Sequence, residues 1–204
     1  MSKLAYFKIP FTKIRVSTVL PIIILALLWM DFSAYSFFVL FCAATHEVGH
    51  VIALKLCGAE IYGITLLPFG AVIRSDAESL PYKKEMCVAL SGPFFNILLS
   101  ILFLLLYIVT GHEHLLFLIV CNTLLAFVNL VPVKTLDGAR ALEAILLEKM
   151  SYEKAQVCLE NVSTLAFAFL TFCSFLLLGF TGCNFSLVMF CVYIFISVYA
   201  RREI

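Results

Sequence analysis

Apolar residues run almost without interruption through most of the chain, and polar residues gather at a few short stations between the runs. About 20 apolar residues let a helix cross the hydrocarbon layer of a membrane. On that measure the predicted spans are residues 16–30, 33–56, 86–110, 115–133, 161–180 and 185–200. Residues 1–15 carry Lys3, Lys8, Lys13 and Arg15 and read as a cationic lead-in lying along the interface. No small-residue cleavage site follows the first apolar run, so it is expected to be a retained span and not a removed signal peptide. Residues 134–160 form a polar-flanked stretch in which Ala141–Lys149 has the pattern of a short amphipathic helix.

One apolar segment is too short to cross. Ile61–Ile73 suits a re-entrant or interfacial piece. Gly63, Pro68 and Gly70 oppose a helix there, while Ile61, Tyr62, Thr65 and Val72 favour extended structure. It is expected to be a short β-like hairpin dipping in from the cytoplasmic side, its backbone satisfied by protein or substrate. The fold class predicted is therefore an all-α polytopic membrane protein. It is one membrane-embedded domain over residues 1–204, with six transmembrane helices and that hairpin.

Composition sharpens this. The chain is 63% hydrophobic and 13% charged, against about 45–50% and 25% for soluble domains, and its mean hydropathy is +1.08. That excludes a cytosolic enzyme and a disordered regulator. A nucleic-acid partner is excluded as well, since it would require a basic surface and the net charge is +1. With six spans, all 14 Lys and Arg residues fall on one side, which the positive-inside rule assigns to the cytoplasm. Both termini are then cytoplasmic, and Asp31 and His112–His114 lie outside. The eight cysteines include no CxxC pair, so they read as small hydrophobes and not as a disulfide or zinc-knuckle framework.

The chemistry sits in the second span, at Thr45-His46-Glu47-Val48-Gly49-His50. Histidines four apart share one helical face. That is the spacing of two ligands on one zinc ion, with the glutamate between them as general base. Ionisable groups at membrane depth cost about 2.5–3.5 kcal/mol each at the helix centre, so their presence there points to a role. His50 precedes Lys55 by five residues. At about 1.5 Å per residue the metal would lie within about 10 Å of the cytoplasmic boundary, where water reaches it. A zinc hydrolase needs a third protein ligand and an open fourth position. Asp137, between Leu136 and Gly138 just past the Pro132 helix end, is the leading candidate. Its alternative role is a helix N-cap for Ala139 onward.

Together these residues resemble the site-2 protease family of intramembrane zinc metalloproteases. The resemblance rests on His46-Glu47-Val48-Gly49-His50 in a span and on Leu136-Asp137-Gly138 preceded by Asn129 and Pro132. Ser91-Gly92-Pro93-Phe94-Phe95-Asn96 and Leu66-Leu67-Pro68-Phe69-Gly70 extend it, all in family order over roughly residues 30–140. The small size looks most like the sporulation branch, whose members cleave a membrane-associated precursor of a sigma factor. The resemblance implies one zinc per chain on His46, His50 and Asp137, with Glu47 as catalytic acid and base. Asn129 would hold or polarise the substrate, and Asn96 would face the active-site region. For Ser91–Asn96 close helix packing is the rival role. The 61–73 segment, with Pro68, Phe69 and Gly70 as its substrate-binding residues, would pair with unwound substrate as an added strand.

The implied partner is a transmembrane or membrane-associated protein substrate, with membrane inhibitor or regulatory proteins and an oligomer both compatible. Two family features have no counterpart in these 204 residues: the nucleotide-sensing domain of many sporulation relatives and the PDZ domain of larger members. Two other classes also fit buried polar residues: a metal-binding or proton-relaying transporter and an inactive scaffold. No inverted halves support the first, and the intact Glu47 opposes the second.

Overall fold

The structure is a computed structural model of the chain. It describes residues 6–8, 14–17, 20–22, 25, 29, 34–67, 70–75, 80–182 and 186–202. The chain divides into two compact units, residues 1–127 and 128–204. Strands β1 (Tyr6–Lys8) and β2 (Ile14–Ser17) open the first unit. Helix α1 (Ala34–Leu56) follows, then β3 (Ile61–Leu67), β4 (Gly70–Ser75) and α2 (Tyr82–Thr110). Helix α3 (Glu113–Leu130) ends this unit and leads into the second. The second unit holds α4 (Asp137–Lys149), α5 (Tyr152–Thr181) and α6 (Ser186–Arg202).

Among the described residues, α1, α2, α3 and α5 are long and apolar enough to cross a membrane, and the apolar stretch of α6, Leu187–Ile196, is shorter. Most of the expected first span lies outside the described residues. Burial is inverted relative to a water-soluble bundle. Val109, Leu165, Phe169 and Phe180 are exposed, while Asn96, Asn122 and Ser174 are fully buried. Large apolar side chains outside and hydrogen-bonded polar groups inside are what lipid as solvent demands. The chain is an integral membrane protein.

The helices differ from the expected spans at their ends. α5 starts at Tyr152, nine residues before the run predicted to begin at Asn161, because Ser151 is its extended N-cap and the polar first turns continue the helix. α2 runs unbroken through Pro93. α2 and α5 close on Gly111 and Gly182, whose φ values of 68° and 69° lie in the left-handed region, which glycine enters without a Cβ penalty.

The all-α expectation with a lone hairpin is corrected in one respect. Ile61–Ile73 does form strands, with Leu67 opposite Gly70, but they belong to a four-stranded sheet of order β1-β2-β3-β4. β2 runs parallel to β3, with Ile14 opposite Ile64, and antiparallel to β1. The lead-in read as an interfacial cationic segment thus supplies two strands. Alternation in Ile14-Arg15-Val16-Ser17 is the strand signal that its charges obscured. An irregularity between Ile61 and Gly63 shifts the register against β4, the local effect of a β-bulge. Pro68 and Phe69 lie outside the described residues.

α1 and α2 approach closely. A Cβ on Gly49 would stand 2.9 Å from Phe95 Cβ and 3.2 Å from Gly92 Cα, so small residues on both helices permit the contact. Leu54, Ala59 and Val88 form the core beneath it. In the second unit, Ala139 and Leu146 of α4 pack on Ala155 and Leu159 of α5. Val133 and Leu136, in the connection before α4, pack with Ile194 of α6.

Candidate metal centre

His46 and His50 point from α1 toward α2 and are buried, with 6% and 5% of their surface exposed. Their Nε2 atoms face each other at 3.3 Å. Each ring is held from behind through its other nitrogen. His50 Nδ1 lies 2.8 Å from the carbonyl oxygen of Val88. A carbonyl only accepts, so Nδ1 carries the proton and Nε2 the lone pair. Ser91 Oγ donates to the same carbonyl at 2.6 Å and stands 3.3 Å from His50 Nδ1. His46 Nδ1 lies 2.8 Å from Asn96 Oδ1. Both histidines therefore turn Nε2 donors to one point, the arrangement in which metal-binding imidazoles are fixed by partners behind them.

The spacing suits zinc. A tetrahedral ion with bonds of about 2.0–2.1 Å to nitrogen separates two nitrogens by about 3.3 Å, and the two Nε2 atoms stand 3.3 Å apart. Gly92 lines the same point. A Cβ there would overlap His50 Nε2 and come within 2.8 Å of His46 Nε2. The glycine is what leaves room for the two ring nitrogens. Glu47 is half-buried on the same turn of α1.

The other expected site residues divide as follows. Asn96 has no exposed surface, and its amide is committed to His46, Asn122 and the Cys42 carbonyl. Asn96 thus borders the active-site region from behind a histidine. In the second unit, Asp137 is the first residue of α4 and is buried. The N-cap is Leu136, in extended conformation, so the N-cap role held open for Asp137 is taken by its neighbour. Its carboxylate lies at the positive end of the helix dipole and 3.9 Å from Arg140 Nη1. Gly138 is required there, because a Cβ would overlap the Leu130 carbonyl. The connection is fastened by Lys134, whose amide donates to Ser163 Oγ at 2.9 Å and whose ammonium pairs with Glu160 at 3.3 Å. Asn129 is half-buried on the last turn of α3. Gly70 begins β4.

Three contributors were missed as such in the sequence reading. Ser91 and Gly92 entered only as parts of a motif, and Asn122 not at all. Asn122 interrupts the apolar run of the fourth span, and an amide at that depth is itself a signal of function.

Comparison with known proteins agrees with this geometry. The sequence model of peptidase family M50 matches residues 34–115 and 110–173. A zinc metalloprotease of Methanocaldococcus jannaschii is 30% identical over 171 residues, 80% of this chain and 48% of that protein. Stage IV sporulation protein FB of Bacillus subtilis is 30% identical over 113 residues, 54% of this chain and 39% of that protein. The chain thus spans about half the length of the first and less of the second. Among solved structures, the site-2 protease from Methanocaldococcus jannaschii superposes with a TM-score of 0.66 at 25% identity, covering 93% of this chain and 91% of that one. The transporter reading finds no support, since these matches are to peptidases and include the histidine-bearing helix.

Proposed function

The chain belongs to peptidase family M50, and we propose that it is an intramembrane zinc metalloprotease hydrolysing a peptide bond of a membrane-embedded or membrane-associated protein near the cytoplasmic side. The facing pair of Nε2 donors at 3.3 Å carries this reading. His46, His50 and Asp137 would hold the zinc ion, one per chain in this reading. Zinc, when bound, makes water a nucleophile near neutral pH and polarises the carbonyl it attacks. Glu47 takes the proton of the attacking water and returns it to the leaving amine. Asn129 orients the scissile segment.

A helical peptide bond is shielded by its own hydrogen bonds, so the substrate must unwind. An edge of the sheet beside α1 offers backbone groups to an extended segment, and Pro68, Phe69 and Gly70 belong to the stretch of sequence proposed to bind it. The chain has six spans with both termini in the cytoplasm. Similarity to a protein named for sporulation favours a transcription-factor precursor as the substrate.

The test is purified protein in vesicles with a reporter carrying one transmembrane segment. Zinc near one per chain and cleavage lost on chelation and restored by zinc are expected. Glu47→Gln should keep the metal and lose at least about 10²-fold in rate. A Glu47→Gln variant retaining more than a few per cent of parent activity, or undiminished cleavage by the metal-free protein, overturns the reading.

A further inference from the structure

His46 is held by a side-chain amide, and an amide is ambiguous where a carbonyl is not. Turned one way, it accepts from Nδ1 and leaves the lone pair on Nε2. Turned the other way, it donates to Nδ1, puts the ring proton on Nε2, and removes that nitrogen as a ligand. Something must choose.

The choice is made two hydrogen bonds away. Asn122 Nδ2 lies 2.8 Å from the carbonyl of Leu118, which only accepts, and 3.1 Å from Cys42 Sγ. That end of Asn122 must be the donor, so Oδ1 faces the other way. Asn122 Oδ1 is 2.8 Å from Asn96 Nδ2, and a second acceptor, the Cys42 carbonyl, lies 3.4 Å from the same nitrogen. Asn96 must then present Oδ1 to His46 at 2.8 Å. Cys42, Asn96 and Asn122 all have no exposed surface, so bulk water does not compete for these groups. The polarity of the whole chain of bonds is anchored on two backbone carbonyls that cannot reverse.

We infer that Asn122 of α3, acting through Asn96 of α2, is a positioning residue that fixes the zinc-binding tautomer of His46 on α1. The inference rests on the proposed reading of His46 as a zinc ligand. Three helices are thereby joined by one directional relay, and the ligand's proton is set by a residue that does not touch it.

Zinc affinity of the purified protein, measured by competition with a chromophoric chelator, tests this, with thermal unfolding of each variant alongside. Asn96→Leu removes the acceptor and should weaken zinc by about 10–100-fold, the usual cost of losing such a partner. Asn122→Leu should weaken it by less, since it only frees the Asn96 amide to turn. Asn96→Asp keeps an acceptor toward Nδ1 and should bind well above Asn96→Leu, a rescue that a packing role does not give. Parent affinity in both leucine variants, with zinc lost in His46→Ala, overturns the relay and leaves the zinc reading standing. Parent affinity in His46→Ala overturns both. Equal weakening in Asn96→Asp and Asn96→Leu reduces Asn96 to packing and overturns the relay. Should Asn96→Leu fail to fold, Asn122→Asp, which keeps the acceptor toward Asn96, should bind above Asn122→Leu; no difference between them overturns the relay.

Discussion

Gly92 lies where no Cβ can be added without overlapping His50 Nε2, and the same atom would come within 2.8 Å of His46 Nε2. The glycine of α2 is thus part of the wall around the two ring nitrogens of α1. Gly92→Ala should displace both imidazoles. Zinc content and reporter cleavage should both collapse, while the fold loses about 1–3 kcal/mol from overpacking. Gly179→Ala on α5, where an added Cβ meets nothing within 4 Å, is the matched control and should leave both unchanged. Metal analysis and thermal unfolding of the two variants check this; a zinc-replete Gly92→Ala protein would speak against the geometry.

Asp137→Asn separates a ligand from a structural carboxylate. Leu136, not Asp137, is the N-cap of α4, so capping no longer explains the aspartate. The pair with Arg140 is long at 3.9 Å and the arginine is exposed, so it contributes little, within about 0–1 kcal/mol. Asp137→Ala should empty the metal site and abolish cleavage, and losing a carboxylate from the positive end of the α4 dipole should cost about 0.3–1 kcal/mol of stability. Asp137→Asn should fall between, since an amide oxygen still coordinates. A fully active, zinc-replete Asp137→Asn protein removes Asp137 from the ligand set.

The orientation in the membrane is open to labelling. In a background without native cysteines, a single cysteine at His114 should react with an impermeant reagent from outside. One at Lys149 should react only after lysis. The reverse pattern would place the metal near the other face and contradict the charge distribution of the loops.

The sequence by itself determined a good deal. Long apolar runs specify membrane helices because backbone groups in lipid must be satisfied within the segment. The four-residue spacing of His46 and His50 puts both rings on one face, since helical periodicity alone decides it. The hairpin at Ile61–Ile73 was legible from its β-branched residues and glycines, and α4 from its amphipathic pattern.

What surrounds the histidines was not legible. The strands at Tyr6–Lys8 and Ile14–Ser17 exist because β3 offers a partner, Ile64 beside Ile14, and strand pairing is a long-range fact that three or four residues do not announce. Asn96 was expected to face the active-site region because the family resemblance implies it. Only its burial and its 2.8 Å contacts on either side show it to be support for His46. Asn122 gave a signal, an amide in an apolar run, but no direction. Which atom of an amide accepts is decided by what stands opposite: the Leu118 carbonyl reaches Asn122 within α3, but Asn122 and the Cys42 carbonyl meet the Asn96 amide only once α1, α2 and α3 are packed. Local periodicity places a side chain on a face; the proton on a buried ring is set by neighbours that the tertiary structure alone assembles.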